Sequence, residues 1–345
     1  MDGHADGWVA SIFFHHTVRF ASIRGFQTLN AFILYLGERR LDLLDGAGWF
    51  GGTMKPALIA CLIISSFAHG LAAEQKSIAV GANPESVTKG FGGRYYVTLM
   101  GPTRNPGDGD GGIVVIEDGA AKPFVSGLDD PKGVVFLDDS LITADFTRVW
   151  RIDSKGEKKL LAGPENFPHP VLYLNDVAIA ADGQSVLVTD MGARDKIAGP
   201  DGFWALDSAE AKAVPAVGRV YQITLDGKVA EVVPADERMK CPNGVDVTPA
   251  GKIRVAEFFT GNILEREGDG FKVLAEGHRS ADAIVHDTKG NFYVTEVRTG
   301  NVWKYPGKVK MGGGLTSAAD AYVDEAAGVL LVPETKAGML VFLPL

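Results

Sequence analysis

A short β-type phrase, apolar and ending in a small or hydroxyl residue and then usually an acid, returns six times. This repeat limits the possible folds more than any other feature. The copies are RYYVTL (94–99), LITAD (141–145), VLVTD (186–190), IRVAE (253–257), FYVTE (292–296) and LLVPE (330–334), with steps of 46, 45, 67, 39 and 38 residues between their ends. A period near 40–45, with β-branched and aromatic runs set between turns, is what a four-stranded propeller blade produces. The stretch 74–345 is 272 residues long, enough for six blades of about 45 each. Ala181-Asp182-Gly183, Leu225-Asp226-Gly227, Pro249-Ala250-Gly251 and Lys289-Gly290-Asn291 fall between the apolar runs as hairpin signals, and such turns account for much of the content of 43 glycines. The expected fold is therefore all-β, a six-bladed β-propeller. The one long step places an insertion at about 191–218, with Phe203 and Trp204 near its middle and the only helix-like segment, SAEAKAVP, inside it. A loop of that length on one rim of a repeat fold reads as a lid or specificity loop in preference to a plain surface excursion.

The text before residue 74 has a different character. Met54-Lys55-Pro56, the apolar run ALIACLIISSF (57–67) and the exit AHGLAA (68–73) have the layout of a secretory signal peptide, with cleavage expected after Ala72 or Ala73. Eleven apolar residues are too few for a membrane span, which needs about 20. The segment 54–73 is thus read as a leader that directs the protein to the periplasm or the medium, with a buried or interfacial helix and a lipoprotein box at Leu58–Cys61 as the alternatives. With Met54 as the natural initiator, residues 1–53 are either an upstream mis-start or an unexplained extension. Only Cys61 and Cys241 are present, which excludes a disulfide framework and a cysteine-rich metal site. A formal net charge of -9 argues against a nucleic-acid partner. After cleavage a monomer without a membrane span is expected.

A second repeat lies just upstream of each apolar run. When NPESVT, DPKGVV, LNDVAI, PNGVDV, ADAIVH and AADAYV are aligned on their polar residue, Glu85, Lys132, Asn175, Asn243, Asp282 and Asp320 occupy one position in six repeats. Each would begin the innermost strand of a blade, and innermost strands line the central channel, so the six form a ring at one mouth. Two carboxylates and two amides, Glu85, Asp282, Asn175 and Asn243, then turn oxygens into one space. Hard oxygen donors of this kind suit Ca²⁺, while the histidines His169, His278 and His286 show no zinc-ligand spacing. Turn capping is the competing role for any single Asn or Asp, but capping does not require recurrence at one blade position. The acids that end the β runs, Asp145, Asp190, Glu257, Glu296 and Glu334, are read instead as structural turn residues.

Pro84-Glu85-Ser86, Asn175-Asp176 followed by VAIAADGQSVLVTDM, Pro242-Asn243-Gly244-Val245-Asp246, and Ala281-Asp282-Ala283 followed by IVHDTKGNFYVTE resemble the senescence marker protein (regucalcin)/gluconolactonase family of six-bladed propellers over roughly 80–345. Paraoxonases and strictosidine-synthase-like proteins are more distant. The resemblance implies one divalent cation in the channel held by Glu85, Asn243 and Asp282, with Asn175 as a further ligand or a substrate contact. Two departures stand out. The usual Pro-Asp-Gly is Ala281-Asp282-Ala283, and Lys132 stands where paraoxonase-like relatives place a histidine.

The implied activity is hydrolysis of a sugar lactone or ester that depends on a divalent cation, Ca²⁺ first and Mg²⁺, Mn²⁺ or Zn²⁺ as alternatives. In that scheme Asp282 accepts the proton of the attacking water, and Lys132 orients the substrate or stabilises the leaving alkoxide. As a cation beside the ring, Lys132 would otherwise weaken metal binding. His169 can reach the mouth from a loop as a substrate contact, although a lone histidine is more often exposed or structural, and Asp320 completes the ring around the substrate. The alternative is a propeller that binds a sugar, lactone or protein partner without catalysis.

Overall fold

The computed structural model describes residues 42–45, 48–51, 76–103 and 105–345. The chain divides between Glu74 and Gln75. In the first unit Asp42–Asp45 pairs antiparallel with Gly48–Gly51; the leader read at 54–73 lies outside the described residues.

The second unit is built of six four-stranded antiparallel sheets, as the repeat predicts. Their innermost strands are Pro84–Lys89, Pro131–Leu137, Leu174–Ile179, Pro242–Val247, Ala281–His286 and Tyr322–Asp324. Each is followed by a second strand that contains one copy of the β phrase. The sixth sheet is completed from the other end of the unit: Ser77–Ala79 pairs with Met339–Pro344, so the first strand of the propeller is the outer strand of its last blade. That exchange closes the ring without an exposed sheet edge at the junction. Apolar side chains from neighbouring blades fill the wedges between them. Ile142 and Val149 of the second blade, for example, are buried with Val177, Val186 and Tyr221 of the third.

The innermost strands share an irregularity that the sequence pattern did not reveal. Pro84, Pro131, Leu174, Pro242 and Ala281 pair with the last residue of the second strand, and regular pairing resumes three residues later, opposite a residue only two back on the partner. The ring residue and its successor lie inside this bulge, which turns the ring side chain out of the ladder. Threonines of the β phrase satisfy the freed donors: Thr98, Thr189 and Thr295 accept from the backbone N–H of Ser86, Asp176 and Ala283 at 2.9, 2.9 and 2.8 Å. Thr189 also donates to the carbonyl of Asn243 in the next blade at 2.7 Å, tying one bulge to the next.

Because second strands end opposite the ring residues, the loops after second strands and the loops before innermost strands share the ring face. The acids at those strand ends pin these loops. Asp190 accepts from the N–H groups of Leu172, Tyr173 and Gly192, and Asp145 from those of Asp129 and Asp130 and from Trp150 Nε1. The turn role read from their position is what the structure shows.

The insertion occupies the interval between the strand ends Asp190 and Arg219 and rises from the same face. It holds a two-residue ladder, Ala198–Gly199 with Gly202–Phe203, and a short helix, Ala209–Ala213, capped by the Ser208 hydroxyl. Its C-terminal carbonyls receive the Lys240 ammonium, 2.9 Å from Val214 O. Ile197, Ala211 and Val214 are buried with Tyr173, Met191, Cys241 and Phe259. So anchored, the insertion is a fixed wall. No helix among the described residues is long and apolar enough to cross a membrane.

Candidate functional site

The bulges deliver Glu85, Lys132, Asn175, Asn243 and Asp282 to corresponding places in five blades, and all five are buried. Two glycines permit the close approach. A Cβ on Gly244 would stand 2.2 Å from the Asp282 carbonyl, and one on Gly133 would stand 2.5 Å from Asp176 Oδ1. The sequence offered this as a signal, since both glycines directly follow a ring residue.

Asp320 is not the sixth member of that ring. Ala318 bridges Glu334 as Ala281 bridges Glu296, so the ring position of the last blade falls on Ala319. Asp320 corresponds to Ser86 and Asp176, one step further along, and behaves like them. Asp176 accepts from the N–H of Val177 (2.7 Å) and of Val245 in the next blade (2.7 Å), and Asp320 accepts from the N–H of Ala321 (2.8 Å) and from the Ser86 hydroxyl (2.5 Å). Aligning on the polar residue displaced that blade by one. Asp320 therefore links blades beneath the ring.

His169 does not reach the mouth either. Its Nε2 lies 3.2 Å from Glu231 Oε2 on the outermost strand of the third blade, where Arg219 also pairs with Glu231 at 2.8 Å. Three strand spacings of nearly 5 Å separate that edge from the channel.

Lys132 has partners that sequence reasoning missed. Its ammonium lies 3.0 Å from Asp130 Oδ1, touches Met100 Sδ and sits 5.5 Å from the ring centre of Tyr173. The Tyr173 hydroxyl donates to the other Asp130 oxygen at 2.7 Å. Burial opposes the charge on Lys132, yet Tyr173, Asp130 and Glu85 hold its pKa above the ordinary value. Asp130 and Tyr173 stand directly before the second and third inner strands, at equivalent blade positions.

The electrostatics are those of a buried acidic space with one cation. Burial pushes the Glu85 carboxyl well above the usual carboxylate range; Lys132 opposes this, and Asp282, Asp320 and Asp130 add to it. Asp176 is raised by burial and then by Asp320, and burial takes Asp320 up to about 6. Glu85 Oε2 and Asn243 Oδ1, from blades three steps apart in a ring of six, are buried without a hydrogen-bond partner among the described residues. The Asn175 amide nitrogen donates to Met191 Sδ at 2.9 Å, which turns its oxygen the other way. Among the described residues no three His, Cys, Asp or Glu side chains are placed to hold a metal by themselves, so a cation here must draw on the amide oxygens. Glu85, Asp282, Asn243 and Asn175 fit a hard, oxygen-preferring ion: two buried oxygens lack a donor among the described residues, and Lys132 is outnumbered by Glu85, Asp282, Asp320 and Asp130.

A pH dependence follows with a definite sign. Carboxyls whose pKa is raised on folding hold protons that the unfolded chain releases, so stability is lost as pH rises through their folded values. In chelator, the melting temperature is expected to be higher at pH 5 than at pH 7.5 by roughly 5 °C, from about 2 kcal/mol of relieved repulsion. The gain should end near the ordinary carboxylate range, about 4 to 4.5. A flat profile by calorimetry would show that these acids carry no such strain.

The family described as SMP-30/Gluconolactonase/LRE-like region matches residues 109–313. Among solved structures, a gluconolactonase from Xanthomonas campestris superposes with a TM-score of 0.59 at 15% identity, covering 81% of this chain and 92% of its own. A structural-genomics target named as a candidate gluconolactonase gives 0.56 at 14% identity over 81% and 95%. Virginiamycin B lyase from Staphylococcus aureus gives 0.51 at 12% identity over 79% and 99%. No curated protein matches the sequence. At these identities the likenesses establish the fold.

Proposed function

Because the chain belongs to the SMP-30/gluconolactonase/LRE-like family, whose match spans more than half of it, we propose that it is a divalent-cation-dependent hydrolase of a lactone or ester, with Ca²⁺ the best-suited cation and the periplasm or medium its place of action. The observation that carries this reading is the pair of buried oxygens, Glu85 Oε2 and Asn243 Oδ1, left without donors in an acid-rich channel. An orphaned buried polar atom costs about 1–3 kcal/mol and a charged one more, so a group that satisfies both is the economical explanation.

Glu85, Asn243 and Asp282 would hold the cation, with Asn175 as a fourth donor or a substrate contact. When bound, it supplies Lewis acidity toward a carbonyl oxygen. Asp282 would take the proton from water as its oxygen bonds to the lactone carbonyl carbon. The ring C–O bond then breaks, and the departing alkoxide acquires a proton to give the hydroxy acid. Lys132, fixed by Asp130 and Tyr173, supports the negative charge on the leaving oxygen. The insertion excludes water along one side of the mouth.

The test is to strip the purified protein with a chelator and assay aldonolactones and aryl esters with Ca²⁺, Mg²⁺, Mn²⁺ and Zn²⁺ restored singly. Turnover restored by one cation is the expected result, and cation-independent turnover would sink the mechanism. A cation that binds and stabilises the protein, together with a lactone that binds but yields no product, would favour the non-catalytic propeller.

A further inference from the structure

Arginine placement on this acidic protein is uneven. Arg94, Arg148, Arg151, Arg219, Arg238, Arg254 and Arg266 each hold a carboxylate within 4.0 Å. The other described arginines, Arg194, Arg279 and Arg298, make no ion pair within the described residues, and all three lie on the ring face against or within the insertion. Arg194 stacks over Tyr173 at 4.0 Å. Arg279 and Arg298, from the loops that flank the first two strands of the fifth blade, stack on one ring, that of Phe203, at 4.9 and 4.3 Å. Their charges therefore lie within about 9 Å of each other, and they repel. Burial and then the charge of Arg298 lower the pKa of Arg279, while Glu257 acts the other way. Glu257 does not relieve them by contact, since its oxygens accept from Cys241 N–H and from Thr260.

The two guanidinium groups are differently engaged. Arg279 spends Nε on the Phe259 carbonyl (3.0 Å) and Nη2 on the Trp204 carbonyl (2.8 Å), which fixes both its own fork and the insertion. Arg298 is exposed, and among the described residues only its backbone N–H is hydrogen-bonded, to the Ser280 hydroxyl at 3.1 Å. Its whole planar fork is available, two residues beyond Glu296, which pairs with Ala281. Anchoring Phe203 would need one cation; a second, unpaired and held beside the first, is what an arriving anion neutralises.

We propose that the rim between the insertion and the fifth blade is an anion subsite, and that the natural substrate carries a carboxylate or phosphate group read by Arg298 with Arg279. This deepens the hydrolase reading and rests on it for the word substrate. The acidic ring would then hold the cation and the reacting carbonyl, while the arginine rim holds the charged tail.

The experiment compares an aldono-δ-lactone with its 6-phosphate and with a lactone bearing a side-chain carboxylate, in the Ca²⁺-loaded protein and its R298Q variant. Calorimetric binding of 6-phosphoaldonate to each provides a readout without turnover. The expected result is a preference of at least about tenfold in kcat/KM for one of the charged lactones, most of it in KM, with a ratio that collapses about tenfold in R298Q, as loss of one charge-assisted hydrogen bond implies. Which charged lactone is preferred separates phosphate from carboxylate. If no lactone is turned over but 6-phosphoaldonate binds wild type and not R298Q, the subsite stands and the hydrolase reading falls. If neutral and charged lactones are turned over equally, and R298Q changes neither their ratio nor binding of the anion, the subsite is overturned and the hydrolase reading survives. Melting temperatures of the two proteins should agree within about 2 °C, because an exposed arginine without an ion pair contributes little to stability.

Discussion

Replacing Glu85 by glutamine should abolish the cation's effects on activity and on stability, and should raise the melting temperature of the metal-free protein. The first effect is large. Losing one anionic donor from a set with two carboxylates and two amides removes about 3–4 kcal/mol of transition-state stabilisation, a fall of roughly 10²–10³ in kcat/KM. Wild-type protein in Ca²⁺ at about 100 times its dissociation constant gains about 2.7 kcal/mol, which is several degrees in melting temperature for a domain of this size. E85Q should show no such shift.

The opposite sign in chelator is the more diagnostic half. Without a cation, Glu85 is buried near Asp282, Asp320 and Asp130 with only Lys132 to oppose them. An amide of the same shape removes one of those charges and costs no packing. Calorimetry of the two proteins, each with and without Ca²⁺, should therefore give crossing lines. If E85Q is destabilised equally in both conditions, Glu85 is merely a structural acid, and the cation site is elsewhere or does not exist.

Why the ring was legible in the sequence while its surroundings were not is a matter of geometry. A propeller repeats one unit around an axis, so any residue type needed at the axis recurs with the blade period, and Glu85, Lys132, Asn175, Asn243 and Asp282 could be read from spacing alone. The insertion showed itself as an excess in one step at about 191–218, the interval that lies between the strand ending at Asp190 and the strand beginning at Arg219. The bulge did not show, because a two-against-three pairing leaves no mark in periodicity, and that is why Asp320 was placed one residue away from its true register. Side chains that approach the site from irregular loops were also out of reach. Asp130 and Tyr173 reach Lys132 from separate loops, and although they hold equivalent blade positions their residue types differ, so no repeat of type pointed to them. His169 lies only six residues before Asn175, yet its loop crosses the blade to the outer edge. Sequence proximity indicates distance along a strand and fails across an irregular segment.

Glu296 ends the second strand of the fifth blade, and its removal should be the most destabilising single change outside the ring. It accepts from His278 Nδ1 (2.8 Å), Asn301 Nδ2 (2.8 Å) and Trp303 Nε1 (2.8 Å), as well as the Thr299 hydroxyl. With the His278 proton on Nδ1, Nε2 accepts from the Tyr305 hydroxyl at 2.6 Å. One carboxylate thus ties the loop before the innermost strand, the following turn and the third strand together. Burial alone would raise its pKa, but His278, Thr299, Asn301 and Trp303 more than offset this and hold it down at about 2. A depressed carboxyl contributes stability that is present above its unfolded value near 4.5 and is lost as pH falls through the folded one. The linkage is worth about 3 kcal/mol. E296A leaves several buried donors without an acceptor and should lose about 3–5 kcal/mol by urea unfolding near neutral pH. E296Q keeps the shape without the charge, so its stability between pH 4.5 and 2.5 should lose the acid-side slope of wild type. The same loop carries Arg279 and leads directly into Ala281-Asp282, so E296A should also lower kcat at a temperature where it remains folded. If E296A unfolds like wild type and E296Q keeps the wild-type slope, the network is not the clamp that holds Asp282 at the channel.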